Sequence, residues 1–205
     1  MRKPMSEHEV RFYPVGPVEI RADEGTGTRT LTGTAPPYGI LSVDLGGFRE
    51  KFAPGAFGDS LSGDVISTFE HDGRMILGRT SAGTLRLEDQ KKGLHYAVDL
   101  PDTTAGRDLA VSVDRGDVAG SSFEFRVKAG GEEWDEKKDG NVTRTVTDAE
   151  LFQVGPVTQP AYPKGTKVAL RSLEEWREGQ KPVGTRLLDR AKRLLRLLGE
   201  AGPAH

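Results

Sequence analysis

Residues 117–127 read DVAGSSFEFRV, a glycine-flanked approach to two adjacent serines and then an alternating strand. Side chains on a strand alternate between its two faces. Ser121, Phe123, Phe125 and Val127 therefore share a face, and the aromatic rings commit that face to a core. Ser122, Glu124 and Arg126 share the opposite, polar face. If either hydroxyl meets a substrate, it is that of Ser122. A serine hydroxyl is a weak nucleophile until a base removes its proton. The reading therefore turns on whether the chain supplies that base, and a β framework to hold it.

Outward from this segment the alternating texture continues. Across the 205 residues, 26 glycines and 12 prolines fall between short alternating segments, the pattern of a mainly β domain with tight turns. EVRFYPVG (9–16) and VEIRADE (18–24) alternate and are expected to pair. RTLTGTAPPYGIL (29–41) runs as a strand into a proline-broken loop. In GGFREKFAPGAFGDSL (46–61), Pro54 suits the first position before a short helix over 55–61. DVISTFEHDGRMILGRTS (64–81) predicts a hairpin about Asp72-Gly73, and TLRLEDQKKGLHYAVDL (84–100) a second one near Lys92-Gly93. In DTTAGRDLAVSVDRGD (102–117), Ala105, Leu109 and Val113 fall at helical spacing. Thr103 or Thr104 can cap that helix and Gly116 can end it. The charged stretch 128–144 predicts a hairpin tip, with Glu132, Glu133, Asp135 and Glu136 as solvated charge beside Lys137 and Lys138. The last long strand, 144–163, ends at Pro160 and Pro163.

After about residue 172 the composition changes. Residues 1–172 are expected to form the β domain, and 173–205 a linker with a basic amphipathic helix. In the C-terminal stretch Leu187, Leu188, Ala191, Leu194, Leu195 and Leu198 make one broad apolar side, and Arg186, Arg190, Arg193 and Arg196 add positive charge. Such a helix packs on its own domain or docks on a partner or an anionic surface.

Composition removes several classes of function. A formal net charge of −2 gives no global field for nucleic acid. The absence of cysteine excludes disulfides, thiolate metal sites and a cysteine nucleophile. No apolar run reaches the roughly 18 residues of a membrane span, and residues 1–14 lack the core of a secretory signal. The expectation is a soluble cytoplasmic protein that contacts neither membrane nor nucleic acid.

Four histidines could act as base: His8, His71, His95 and His205. His8 and His205 lie near the termini. His95 points away from the apolar face formed by Leu94, Tyr96 and Val98. His71, in VISTFEH, shares parity with Val65, Ser67 and Phe69 and is expected at a strand end, partly buried. Spacing alone leaves it open between a structural ring and the partner of Ser122. The segment GTGT (25–28) lacks the third glycine of a dinucleotide fingerprint. Glu70-His71-Asp72 has no second histidine at ligand spacing, so no metal and no cofactor is expected.

Six segments together resemble the tailed-phage prohead protease family, capsid-maturation serine proteases distantly similar to herpesvirus assemblins. They are GTAPPYG, EKFAPGAF, FEHDGRMILGRT, LRLEDQKKGLHYAVDLPDT, VDRGDVAGSSFEFRV and LFQVGPVTQPAYP, in the family's order over roughly residues 10–172. The resemblance implies a β-barrel flanked by a few helices, with Ser122 as nucleophile and His71 as base. The family's last strand usually reads Leu-x-Glu-Val-Ser, with the glutamate as third catalytic member. Here Gln153 holds the carboxylate position and Gly155 that of the serine. A glutamine can orient an imidazole but supplies no charge. Related assemblins use a histidine there, and Asp148 or Glu150 could substitute. For the oxyanion the resemblance offers Arg79, and more weakly Arg144. It implies a capsid protein or scaffold protein as polypeptide substrate, and the protease itself. Cleavage would occur inside the assembling procapsid in the bacterial host's cytoplasm. A homodimer stays open, because assemblins act as dimers. Gln153 also permits a rival: a catalytically silent assembly module that binds capsid protein. A β-rich hydrolase of small esters is a third reading.

Overall fold

The computed structural model describes residues 8–13, 18–23, 25, 27–158 and 167–200. The chain divides into two units, Met1–Val168 and Ala169–His205.

Among the described residues the first unit holds twelve strands, one short 3-10 helix and one α-helix. The strands are β1 (Glu9–Tyr13), β2 (Glu19–Ala22), β3 (Arg29–Pro37), β4 (Arg49–Phe52), β5 (Ile66–Thr68) and β6 (Ile76–Arg79), then β7 (Leu85–Gln90) and β8 (Gly93–Asp99). Helix α1 (Thr104–Asp114) follows, then β9 (Gly120–Val127), β10 (Glu132–Glu136), β11 (Val142–Val146) and β12 (Ala149–Val157). Thr103 caps α1 by accepting the Gly106 N–H, and Gly116 leaves it at φ 81°, a left-handed exit that glycine allows without strain. The helix expected over 55–61 is a 3-10 turn at Gly58–Ser62.

Three sheets result, in the orders β1-β9-β12-β5-β6, β2-β3-β8-β7 and β10-β11-β4. The expected β-barrel does not close among the described residues. Strand β1 packs beside β3, and β6 beside β8, but both edges of β3 are taken by β2 and β8, and both edges of β8 by β3 and β7. The strands that face each other across the gap therefore cannot pair, and the five- and four-stranded sheets stay separate. The same competition overturns the expected pairing of residues 9–16 with 18–24. β1 pairs with β9, and β2 turns back onto β3. The single strand expected over 144–163 is two: β11 ends at Val146, the chain turns at Thr147 and Asp148, whose N–H groups both donate to the Gly131 carbonyl, and β12 runs Ala149–Val157; Pro160 and Pro163 lie outside the described residues.

The inward face of β9 behaves as its alternation requires. Phe123 and Phe125 are fully buried and meet Phe52 and Phe57 with ring centroids 5.2–6.2 Å apart. Burying a phenylalanine contributes about 1.5–3 kcal/mol, so this quartet fixes which way β9 faces. Ser121, also inward, lies 2.9 Å from the hydroxyl of fully buried Tyr96.

A second buried layer is ionic. Arg11 and Arg144 are each about 1% exposed. Arg11 donates to Glu9 (2.7 Å) and Glu50 (2.8 Å). Arg144 donates to Glu9 (3.0 Å), Glu50 (2.8 Å) and Glu132. Burial by itself would lower the pKa of Arg11, but the charges of Glu50 and Glu9 outweigh it and hold it raised. Glu132, expected at a solvated tip, instead sits on β10 against Arg144 with its side chain 19% exposed. Arg144 is thus committed to this cluster, which ties β1 to the β10-β11-β4 sheet.

The second unit comprises α2 (Lys167–Gln180) and α3 (Val183–Glu200). Lys181 between them pairs with Glu178 and Asp189. Among the described residues no helix is long and apolar enough to cross a membrane.

Candidate active site

Ser122 lies mid-strand on β9, between Phe12 of β1 and Gly155 of β12. It is 3% exposed. Its Oγ is 2.6 Å from His71 Nε2 and 2.9 Å from the carbonyl oxygen of Arg11. The hydroxyl carries one proton, so it donates either to the imidazole or, turned about its C–O bond, to that carbonyl.

His71 does not end a strand as expected. β5 stops at Thr68, and the hairpin turn to β6 runs over residues 69–75, longer than an Asp-Gly turn. Glu70 and His71 have φ of 56° and 57°, left-handed values that side-chain-bearing residues adopt at a cost of about 1–3 kcal/mol each. The surroundings hold them there. The Glu70 N–H donates to the Pro156 carbonyl, and the Asp72 N–H to that of Phe69. The Glu70 carboxylate accepts from the backbone N–H and the hydroxyl of Thr158 at 2.6 and 2.5 Å. Asp72 accepts from Arg74, whose guanidinium pulls its carboxyl down to about 2. The turn is bound on both flanks, and the imidazole projects from it toward β9. Glu70→Ala removes the clasp on Thr158. It should cut turnover about tenfold while shifting the thermal midpoint by only a few degrees, as activity and calorimetry on one preparation would report.

The other ring nitrogen, His71 Nδ1, is hydrogen-bonded to Gln153 Oε1. A carbonyl oxygen can only accept. Nδ1 therefore carries the ring proton, and Nε2 presents its lone pair to Ser122. Gln153 reaches this position through a bulge. Leu151 faces Phe125 across the ladder and Gln153 faces Glu124, so Phe152 has no opposite residue on β9. Without the extra residue Gln153 would lie opposite Phe123 and point with Leu151 into the core. A bulge re-aims a side chain in this way.

The remaining candidates lie elsewhere. Asp148 pairs with Lys128 and Glu150 with Arg126; neither bonds His71. Arg79 occupies the same rung as Gln153, two strands away through Ile66, and its guanidinium is forked onto Asp64, Nε donating to Oδ1 at 2.9 Å and Nη2 to Oδ2 at 2.5 Å. His8 Nδ1 lies 2.6 Å from Glu124 Oε1, with the ring stacked on Phe152 at 4.0 Å. Two clefts of about 330 and 380 Å3 lie away from the serine, one beside Asp102 and Arg107, the other between Phe48 and Asn141.

Gly155 shows why the third strand is small beside the serine. A Cβ there would come 1.9 Å from the Thr68 carbonyl oxygen, backbone that cannot give way. Gly155→Ser should destabilise the protein by about 3 kcal/mol, readable as a lowered urea midpoint.

Sequence reasoning had no access to the bulge, to the Glu70 clasp or to the Arg11 carbonyl. The first two leave faint traces only: a glutamine at odds with the parity of Leu151, and an acidic residue before the histidine.

A family model described as Caudovirus prohead serine protease matches residues 16–178. Comparison with curated proteins finds no match. Among solved structures, that of the bacteriophage T4 capsid assembly protease, gp21, superposes with a TM-score of 0.50 at 12% sequence identity, covering 75% of this chain and 98% of that one. At that identity the likeness is one of fold.

Proposed function

Because the chain belongs to the caudovirus prohead serine protease family, we propose that it is the endopeptidase of capsid maturation, with Ser122 as nucleophile and His71 as general base. The observation that carries this reading is the hydrogen-bonded line Gln153–His71–Ser122. It is the order of groups that acyl transfer requires.

In the proposed reaction His71 Nε2 takes the hydroxyl proton as Ser122 Oγ attacks the scissile carbonyl carbon. The tetrahedral oxyanion collapses, the C–N bond breaks, and His71 returns the proton to the departing amine. Water, deprotonated by the same nitrogen, then releases the acyl group and regenerates Ser122. Backbone N–H groups would stabilise the oxyanion; Arg79 would have to leave Asp64 to contribute. The substrates are the scaffolding segment of the capsid protein, a scaffold protein, and the protease itself, cut inside the assembling procapsid in the host cytoplasm. No cofactor takes part, and neither nucleic acid nor membrane is a partner.

One observation favours the silent assembly module: the group on His71 Nδ1 is a neutral amide. Imidazolium formation then lacks a formal counter-charge in direct contact. Gln153→Glu should therefore raise the rate at which Ser122 is phosphonylated by about tenfold, measured by labelling with a fluorophosphonate. Wild-type protein that never labels, even when assembled with capsid protein, would favour the module. The defining experiment is coexpression with the capsid-protein gene. Wild type should shorten the capsid protein, and His71→Ala should leave it at full length.

A further inference from the structure

Gln153 brings no charge to His71, yet the residue directly across the ladder from it is a carboxylate. Glu124 stands opposite Gln153 on β12 and opposite Val10 on β1. It lies two residues beyond Ser122, so both side chains rise from the same face of β9. Directly opposed residues hold their Cβ atoms about 4.5–5.5 Å apart, which puts a glutamate and a glutamine within hydrogen-bond reach of each other. Glu124 is also held in place. Its side chain is 26% exposed, and Oε1 is 2.6 Å from His8 Nδ1, whose ring is stacked on Phe152. Among the described residues neither the second oxygen, Oε2, nor the amide nitrogen of Gln153 has a hydrogen-bond partner.

The amide of Gln153 can present either its oxygen or its nitrogen to His71. With the nitrogen turned inward, the ring proton would move to Nε2, and the imidazole could no longer accept from Ser122. That turn would also aim the amide oxygen at the Glu124 carboxylate, acceptor against acceptor. We propose that Glu124 is a positioning residue of the Ser122–His71 pair. Glu124 and Gln153 are not bonded in this structure; a turn about the glutamate side-chain torsions brings its carboxylate onto the amide N–H of Gln153, fixes the amide oxygen on His71 Nδ1, and supplies through Gln153 the negative charge that the site otherwise lacks. This rests on the protease reading. The charged groups around Glu124 are His8 from the β1 side, Arg126 on β9, Glu150 on β12, and His71 in the turn after β5. Arg126 is already paired with Glu150 and lies over the Phe152 ring.

The test needs no known substrate. A fluorophosphonate is attacked by Ser122 Oγ; a P–O bond forms, fluoride leaves, and the hydroxyl proton passes to His71. In the full-length chain, Glu124→Gln should lower the second-order labelling rate about five- to tenfold and move the acid limb of its pH profile to lower pH, as loss of a nearby negative charge requires. Glu124→Asp, which keeps the charge and serves where the amide variant does not fold, should stay within about threefold of wild type. In a Gln153→Glu background, where the charge touches His71 directly, Glu124→Gln should no longer slow labelling. The proposal is overturned if Glu124→Gln labels at the wild-type rate with an unchanged profile, if Glu124→Asp loses more than about tenfold, or if Glu124→Gln costs as much in the Gln153→Glu background. The protease reading fails by a different result: wild type that does not label, or Ser122→Ala that labels equally well.

Discussion

Replacing Ser122 with alanine is expected to lower peptide cleavage about 10^4- to 10^6-fold and to abolish fluorophosphonate labelling, with the fold unchanged. The substitution deletes a single oxygen from a buried position. Its two partners survive the loss: the Arg11 carbonyl keeps its place in the β1–β9 ladder, and His71 keeps Gln153. Removing the histidine instead should cost nearly as much, because the two groups act as a unit. The measurement is capsid-protein size after coexpression, alongside a circular dichroism spectrum. Cleavage by the alanine variant within tenfold of wild type would put the nucleophile elsewhere.

The largest stability effect is expected from Arg144→Met. Among the described residues Arg144 and Arg11 are cations set among Glu9, Glu50 and Glu132, with Glu9 and Glu50 each about 1% exposed or less. Taking Arg144 away removes a guanidinium that contacts all three carboxylates, mostly out of water. Breaking a buried ionic group on one side costs about 3–5 kcal/mol, a large share of the total stability of such a domain. Urea unfolding of the full chain should show it as a midpoint shift. A change below about 1 kcal/mol would mean that water reaches the cluster. The effect should extend to activity, because Arg11 offers its side chain to this cluster and its carbonyl to Ser122. Loosening β1 then loosens one wall of the nucleophile.

The alternation of Phe123 and Phe125 was enough to read which face of β9 carries Ser122, since a strand with two buried rings has one way to lie. The helix over 104–114 was equally legible, because Thr103 and Gly116 mark its ends by local chemistry. The barrel was not. Closure depends on which edges remain free after β2 and β7 have paired, a competition between distant segments. His71 was misplaced on a strand because Glu70 and His71 adopt a conformation that their own sequence disfavours and that distant partners such as Thr158 and Pro156 help to enforce. Gln153 could be assigned by resemblance alone; its aim depends on one extra residue at 152, which periodicity cannot reveal. Glu132 looked solvated because its partner, Arg144, lies across a hairpin.

The position of β12 also bears on timing during synthesis. Among the described residues it is the last strand made, yet it sits between β9, which carries the serine, and β5, which leads to the histidine. Until about residue 157 has left the ribosome, nothing bridges those two strands. The proposed pairing of Ser122 with His71 therefore assembles only after β12 has been made.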